Sequence, residues 1–238
     1  MIKFFRKTRQ RLLTENKFSK YLIYAIGEII LVVIGILIAL SINNWNEEKK
    51  LRKLERTYLL GILDDLKTDT TKINTVVIPY FLDNHKVDHT YLDSLDTHNL
   101  LTNESLVEKV VAPYSMSNSG LSFHPTYGTY NEIISQGNSG LIKDKELFNA
   151  IQELYEVGYK RNNEHSTRRD KLTDNIRLKY AYEFKYLTKM QQVQNKQLLA
   201  DLFLLLQTKR QYVRLVRRIE NEIVAIIKKL ENQLTNND

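Results

Sequence analysis

The 238 residues carry 35 Lys and Arg against 28 Asp and Glu, a formal net charge of +7, with 8 glycines, 3 prolines and no cysteine. That length allows one or two domains with a sizeable core. So few glycines and prolines exclude collagen-like, low-complexity and turn-rich all-β chains, and the lack of cysteine excludes a disulfide framework or a thiolate metal site. The charge surplus is local. Residues 1–20 hold seven basic side chains against Glu15 alone, a net of +6, whereas the remaining chain holds 28 basic and 27 acidic side chains. A basic protein invites nucleic acid as a partner, but a surplus confined to a short arm reads as a topology signal, and no nucleic acid is expected.

The arm, residues 1–20, runs directly into Tyr21 to Ile42, whose only clearly polar members are Glu28 and Ser41. At 1.5 Å per residue such a helix is about 33 Å long, enough to cross a hydrocarbon core. Ala39-Leu40-Ser41 loosely fits a signal-peptidase site, but the apolar stretch exceeds the usual signal-peptide core. An uncleaved signal anchor is expected. Seven Lys and Arg precede the span, and Lys49, Lys50, Arg52, Lys53 and Arg56 follow it. This modest bias puts the N-terminus in the cytoplasm. Ile2, Phe5, Leu12 and Leu13, spaced among the cations, suit an arm lying on an anionic leaflet, and Trp45 sits where interfacial aromatics anchor helices.

Glu28 is the unusual residue of the span, because an ionisable group in lipid suggests a function. Gly35 and Ala39 follow at rotations of about 700° and 1100°, so all three share one face within roughly 20°. Gly35-x-x-x-Ala39 permits close helix approach. The leading expectation is association, as a homo-oligomer or with another membrane protein, through Glu28, Gly35 and Ala39. The alternatives are a carboxyl reaching the inner interface near Lys20, or part of an ion path as in the single-span subunits of proton-driven envelope motors.

The run KYLIYAIGEIILVVIGILIALSINNWNE, preceded by FFRKTRQRLLTENKFS, resembles the opening of an uncharacterised family of bacterial single-span membrane proteins, known mainly as a domain of unknown function. The likeness covers roughly residues 1–48 and returns more loosely at FHPTYGTYNEIISQGNSGLI, Phe123 to Ile142. Ser41 departs from the Gln that relatives often carry. The resemblance implies inner-membrane residence and an α-helical external domain, and no activity.

Beyond the span, residues 43–238 read as an α-helical external, periplasmic domain. Leu59, Ile62, Leu63, Leu66, Ile73 and Val77 keep helical spacing, with Asn43, Asn44 and Asn46 as the expected break after the span. Shorter helices are expected at Tyr80 to Leu95 and Ser105 to Val111. A connector at 112–140 gathers Pro113, Pro125 and four of the glycines among Tyr114, Phe123, Tyr127 and Tyr130. Gly128 to Gln136 should form a short helix closed by Gly137 in a left-handed cap. From Asp144, an N-cap, a face of Leu147, Ile151, Leu154, Leu172 and Ile176 is interrupted by Arg161, His165 and Arg168. That interruption is either a polar layer or a turn near Asn162-Asn163; the turn is expected. The final seam, Leu198, Leu202, Leu205, Lys209, Tyr212, Val216, Ile219, Ile223, Ile226, Leu230 and Gln233, alternates four- and three-residue steps. Packing within the chain is its leading reading and self-association the alternative. The fold class is therefore all-α: one N-terminal transmembrane helix followed by a long-helix antiparallel bundle or coiled coil.

Little chemistry stands out. His85 and His89 could share a metal at i and i+4, but HKVDH lacks the Glu of a zinc-protease motif, and solvated histidines are expected. His124 reads as a loop histidine. Ser135 to Gly140 is neither a nucleophile elbow nor a phosphate loop and reads as helix termination. Asp64-Asp65 reads as solvation, and Arg210, Arg214, Arg217 and Arg218 as a solvated flank. No catalytic residue, cofactor or metal is expected. The leading functional expectation is a non-enzymatic envelope module for assembly or scaffolding. Its preferred contact surface is the aromatic connector, Tyr114, Phe123, His124, Tyr127 and Tyr130. The alternatives are a periplasmic ligand-sensing bundle and a single-span subunit of an ion-driven complex using Glu28.

Overall fold

The structure, a computed structural model, describes residues 18–82 and 122–236. Most of the basic arm, the expected helices within 83–111, His85, His89 and Tyr114 lie outside the described residues. The chain divides into two compact units, Met1–Glu55 and Arg56–Asp238.

In the first unit the described chain is helix throughout, part of α1 (Phe18–Lys72). Every side chain from Ile26 to Leu54 is exposed. The apolar window has a mean hydropathy of 2.8 and none of it is buried. The expected break at Asn43, Asn44 and Asn46 does not form, since α1 runs through it. Asn costs a helix only about 0.7 kcal/mol per residue, and the turns beyond add an i,i+4 ion pair, Arg52 to Glu48 at 2.6 Å.

In the second unit α1 acquires a buried stripe of Tyr58, Leu59, Ile62 and Leu66. It widens into a π turn, Ile73–Val77, and ends as α2 (Ile78–Leu82). The amide of Ile78 donates to the Ile73 carbonyl five residues back. The wide turn has a local cause: Pro79 lacks an N–H and would crowd the carbonyl four residues earlier in a regular helix. The connector follows with α3 (Gly128–Ser135), closed by Gly137 at φ 69°, the left-handed cap expected there. A short 3₁₀ turn, Asn138–Leu141, comes next. Gly61 lets the start of α3 lie against α1, because a Cβ there would meet Thr129 Oγ1 and Cγ2 at 2.8 Å.

The Asp144 side chain then accepts the Leu147 amide at 2.9 Å and caps α4 (Lys145–Glu153). Helix continues through a second π turn, Leu154–Tyr159, into α5 (Lys160–Lys179). The expected turn at Asn162-Asn163 is therefore corrected to a polar layer. A π turn holds one extra residue, so the inward face after it advances by one position. Asn162, Ser166 and Arg169 are buried, whereas Arg161 and Arg168 are exposed and His165 is half-buried. Two short helices, α6 (Ala181–Tyr186) and α7 (Lys189–Gln194), lead to α8 (Lys196–Asn236).

Cross-helix contacts give the register. Along α5 and α8, Lys179 meets Asp201 at 2.8 Å and Arg169 lies 4.4 Å from the Tyr212 ring. Along α1, α2 and α8, Lys67 meets Glu231 at 2.7 Å, Asn74 donates to Glu220 at 2.6 Å, and the Phe81 and Tyr212 rings are 5.5 Å apart. Rising numbers on one helix match falling numbers on its neighbour, so α8 runs antiparallel to both. Its seam, Leu198, Leu202, Leu205, Tyr212, Val216, Ile219, Ile223, Ile226 and Leu230, is buried within the chain. The main core joins α1, the connector, α4 and α8. A second, smaller one fills the α5–α8 end with Ile176, Tyr180, Leu198, Leu199, Leu202 and Leu205.

Candidate functional site

The most concentrated polar chemistry among the described residues is buried where the connector meets α1 and the second π turn. Asp69 is fully buried. Its Oδ1 accepts the Thr126 hydroxyl at 2.7 Å and the Thr126 amide at 3.0 Å, and its Oδ2 accepts the Tyr159 hydroxyl at 2.9 Å. Lys72 Nζ lies 3.4 Å from Oδ1 and donates to Thr126 Oγ1 at 2.8 Å. One turn earlier, Asp65 accepts the Thr129 amide at 3.0 Å, supplying the α3 N-terminus with a carboxylate from another helix. The reading of Asp64-Asp65 as solvation thus holds for exposed Asp64 and is corrected for half-buried Asp65.

Four tyrosines surround these acids. Tyr130 stacks on Tyr155 at 4.3 Å, and Tyr127 meets Tyr155 and Tyr159 edge-on at 5.7 and 5.8 Å. The Tyr130 hydroxyl donates to Glu156 at 2.9 Å. Burial, reinforced by neighbouring carboxylates, pushes all four phenols above the ordinary tyrosine range. The phenols therefore stay protonated at neutral pH; those of Tyr130 and Tyr159 donate to Glu156 and Asp69, whereas the buried Tyr155 hydroxyl has no hydrogen-bond partner among the described residues. The chemistry of the cluster is cohesive: it fastens the connector to two helices.

A second constellation lies further along α5. The Arg169 guanidinium carbon lies over two rings that themselves meet edge-on, 5.0 Å from the Phe81 centroid and 4.4 Å from that of Tyr212. Nη2 donates to Ser122 Oγ and to Asp170 Oδ1, both at 2.7 Å. Nη1 is buried with no hydrogen-bond partner among the described residues. The Tyr212 hydroxyl accepts the Phe123 amide at 2.7 Å, and Asn162 donates to the Phe123 carbonyl at 2.8 Å. Nearby, burial and then the Arg169 charge pull the Lys209 amine down to about 7, against the opposing pull of Asp170.

Of the expected contact residues, Phe123 and Tyr130 are buried in the main core, Tyr127 is half-buried against it, and His124 is exposed. On α1, Glu28, Gly35 and Ala39 are exposed, and a Cβ at Gly35 would meet nothing within 4 Å. Ser135 Oγ donates to the Glu132 carbonyl at 3.2 Å, as a helix-terminating serine does. Arg217 is not merely solvated: it donates to Glu220 at 3.0 Å and reaches Asn74 at 3.5 Å. No group of three potential metal ligands occurs among the described residues. An open groove passes Lys67, Thr68, Thr71, Lys72, Thr75 and Val76; α1 and the π turn that continues it supply all its walls, so it does not enclose a ligand.

Asp69, Tyr155, Tyr159 and Arg169 were not singled out by sequence reasoning. The available signal was position: Asp69 continues the Ile62–Leu66–Ile73 stripe, where a solvated acid does not belong. Arg169 carried no such signal, because the π turn shifts its face.

The sequence profile of a family of unknown function, DUF6090, matches residues 28–205, about three quarters of the chain. The chain belongs to this family. No curated protein and no solved structure matches it. In this DUF6090 member the matched stretch includes Glu28, the connector, both π turns, Asp69 and Arg169, and it ends within α8.

Proposed function

We propose that this chain is a membrane-anchored, non-enzymatic protein of the bacterial envelope, acting in assembly or scaffolding. The arm faces the cytoplasm, the Tyr21 to Ile42 segment spans the inner membrane as an uncleaved anchor, and the helical unit occupies the periplasm. The observation that carries this reading is a helix whose apolar window is wholly unburied. Ile23 and Leu31 are 71% exposed, an arrangement that water disfavours by about 25 cal/mol per Å² and lipid accepts. Trp45 is exposed just beyond the span, with Lys49 Nζ 5.6 Å from its ring centre, a pairing suited to the headgroup layer. The Glu28–Gly35–Ala39 face is the association surface, since the open groove at Gly35 admits a close helix.

The chain has no native cysteine, so single Gly35→Cys and Ala39→Cys variants report on this face directly. In native membranes each should oxidise to a disulfide-linked dimer or be captured with a second membrane protein. Monomers alone, with no partner captured, overturn the association surface. A second reading, an ion path, rests on Glu28 within the span; Glu28→Gln keeps hydrogen bonding and removes ionisation. Unchanged coupling of that variant to the membrane potential disposes of it.

A further inference from the structure

The far end of the helical unit carries a feature that neither core absorbs. Leu178, Tyr182 and Tyr186 follow one another at four-residue intervals and are 72%, 64% and 62% exposed. The Tyr182 and Tyr186 rings are 5.2 Å apart, and Lys185 Nζ lies 5.0 Å from the Tyr186 ring centre. Core residues of the same end, Ile176 and Tyr180, turn inward onto Leu198, Leu202 and Leu205, with Phe184 partly buried against them. The stripe is therefore the outer side of this end, not an unfinished part of its core.

Charge adds a second, independent observation. From Arg177 to Lys196 the chain has Arg177, Lys179, Lys185, Lys189 and Lys196 against Glu183 alone. Arg177 and Lys179 are matched by Asp174 at 3.3 Å and Asp201 at 2.8 Å. Lys185 and Lys196 are exposed and carry a remaining surplus. Tyrosines with a cation against the ring, one exposed leucine and a local positive surplus form the combination that enters a headgroup layer. Three side chains cannot supply the roughly 800 Å² per partner of a stable protein interface. The stripe is also remote from the chain's entry to this unit. Arg56 donates to the Leu234 carbonyl, and the 38 steps of α8 from Leu234 back to Lys196 span about 57 Å.

We propose that this end of the helical unit docks on an anionic lipid surface. Leu178, Tyr182 and Tyr186 enter the headgroup layer, and the neighbouring lysines attract the phosphates. The chain then has two lipid contacts, one through its span and one through this end.

The test uses the full chain in nanodiscs of phosphatidylcholine, so that the only anionic surface is the one added. Vesicles of phosphatidylcholine with phosphatidylglycerol should carry the nanodiscs in flotation, those of phosphatidylcholine alone should not, and binding should weaken as salt rises. The pair Tyr182→Ser and Tyr186→Ser should reduce binding by roughly ten-fold, as should Lys185→Glu with Lys196→Glu. All four positions are exposed, so a melting curve superimposable on the parent separates lost docking from lost folding. Binding that survives both pairs belongs to the basic arm and overturns the proposal. So does absence of binding by the parent, or vesicle-independent pairing of nanodiscs abolished by the same variants, which assigns the stripe to a second copy of the chain.

Discussion

Asp69 shows how much one side chain can hold together. Its carboxylate receives the connector through the Thr126 amide and hydroxyl and the second long helix through Tyr159. Asp69→Ala strands these donors in a buried place, which costs far more than the net worth of each bond. A loss of roughly 2–4 kcal/mol is expected in urea unfolding, against about 1 kcal/mol for Tyr159→Phe, which removes one donor and leaves the carboxylate its others. Equal, small effects from both variants are the outcome that rules out Asp69 as the fastening point. In the sequence Asp69 is one acid among many on a charged helix. Burial of its position was legible from the apolar spacing around it, but its partners lie 57 and 90 residues away, and local spacing does not encode such distances.

The two π turns and α8 decide how the long helices meet. The heptad-like seam of α8 was readable because nothing interrupts its period, and nine apolar members are buried as that period requires. On the α4–α5 face Leu147, Ile151, Leu154 and Ile176 are buried as expected, and only its middle, Arg161 to Arg168, was misjudged, because the π turn at Leu154–Tyr159 moves the phase by one residue. No Pro accounts for that turn as Pro79 does for the first, and its sequence offered no signal. Within the α8 seam Lys209 occupies an apolar position, with Arg169 and Asp170 as its charged neighbours on α5. Its folded-state amine, near 7, lies below the unfolded value of about 10.4. Between these values the unfolded chain binds a proton that the folded chain does not, so stability rises with pH from about 7 towards 10. Above about 10 the sign reverses: unfolded tyrosines ionise, while Tyr130, Tyr155 and Tyr159 are held protonated in the fold. Urea unfolding over a pH series should show this maximum. Lys209→Met should flatten the rising limb. A rising limb unchanged by that variant removes Lys209 as its source.

On the scale of the whole molecule, the all-α class, the exposed apolar N-terminal helix and the Gly137 cap were legible, because each is written in a contiguous stretch of residues. The division at Arg56 was not, since the helix carries on through it and only the buried stripe beginning at Tyr58 marks the change. Both cores lie beyond that boundary. Residues 56–238 made without the preceding segment should therefore remain helical and melt cooperatively in water without detergent. A non-cooperative, aggregating product is the result that shows the second unit to depend on the first.

Arg169 has one more consequence. Phe81 and Ser122, 41 positions apart in sequence, both touch the same guanidinium, one against its face and the other at its edge. One buried cation on α5 therefore clasps the end of α2 and the Ser122 backbone segment together, so a single side chain fixes where both lie against that helix.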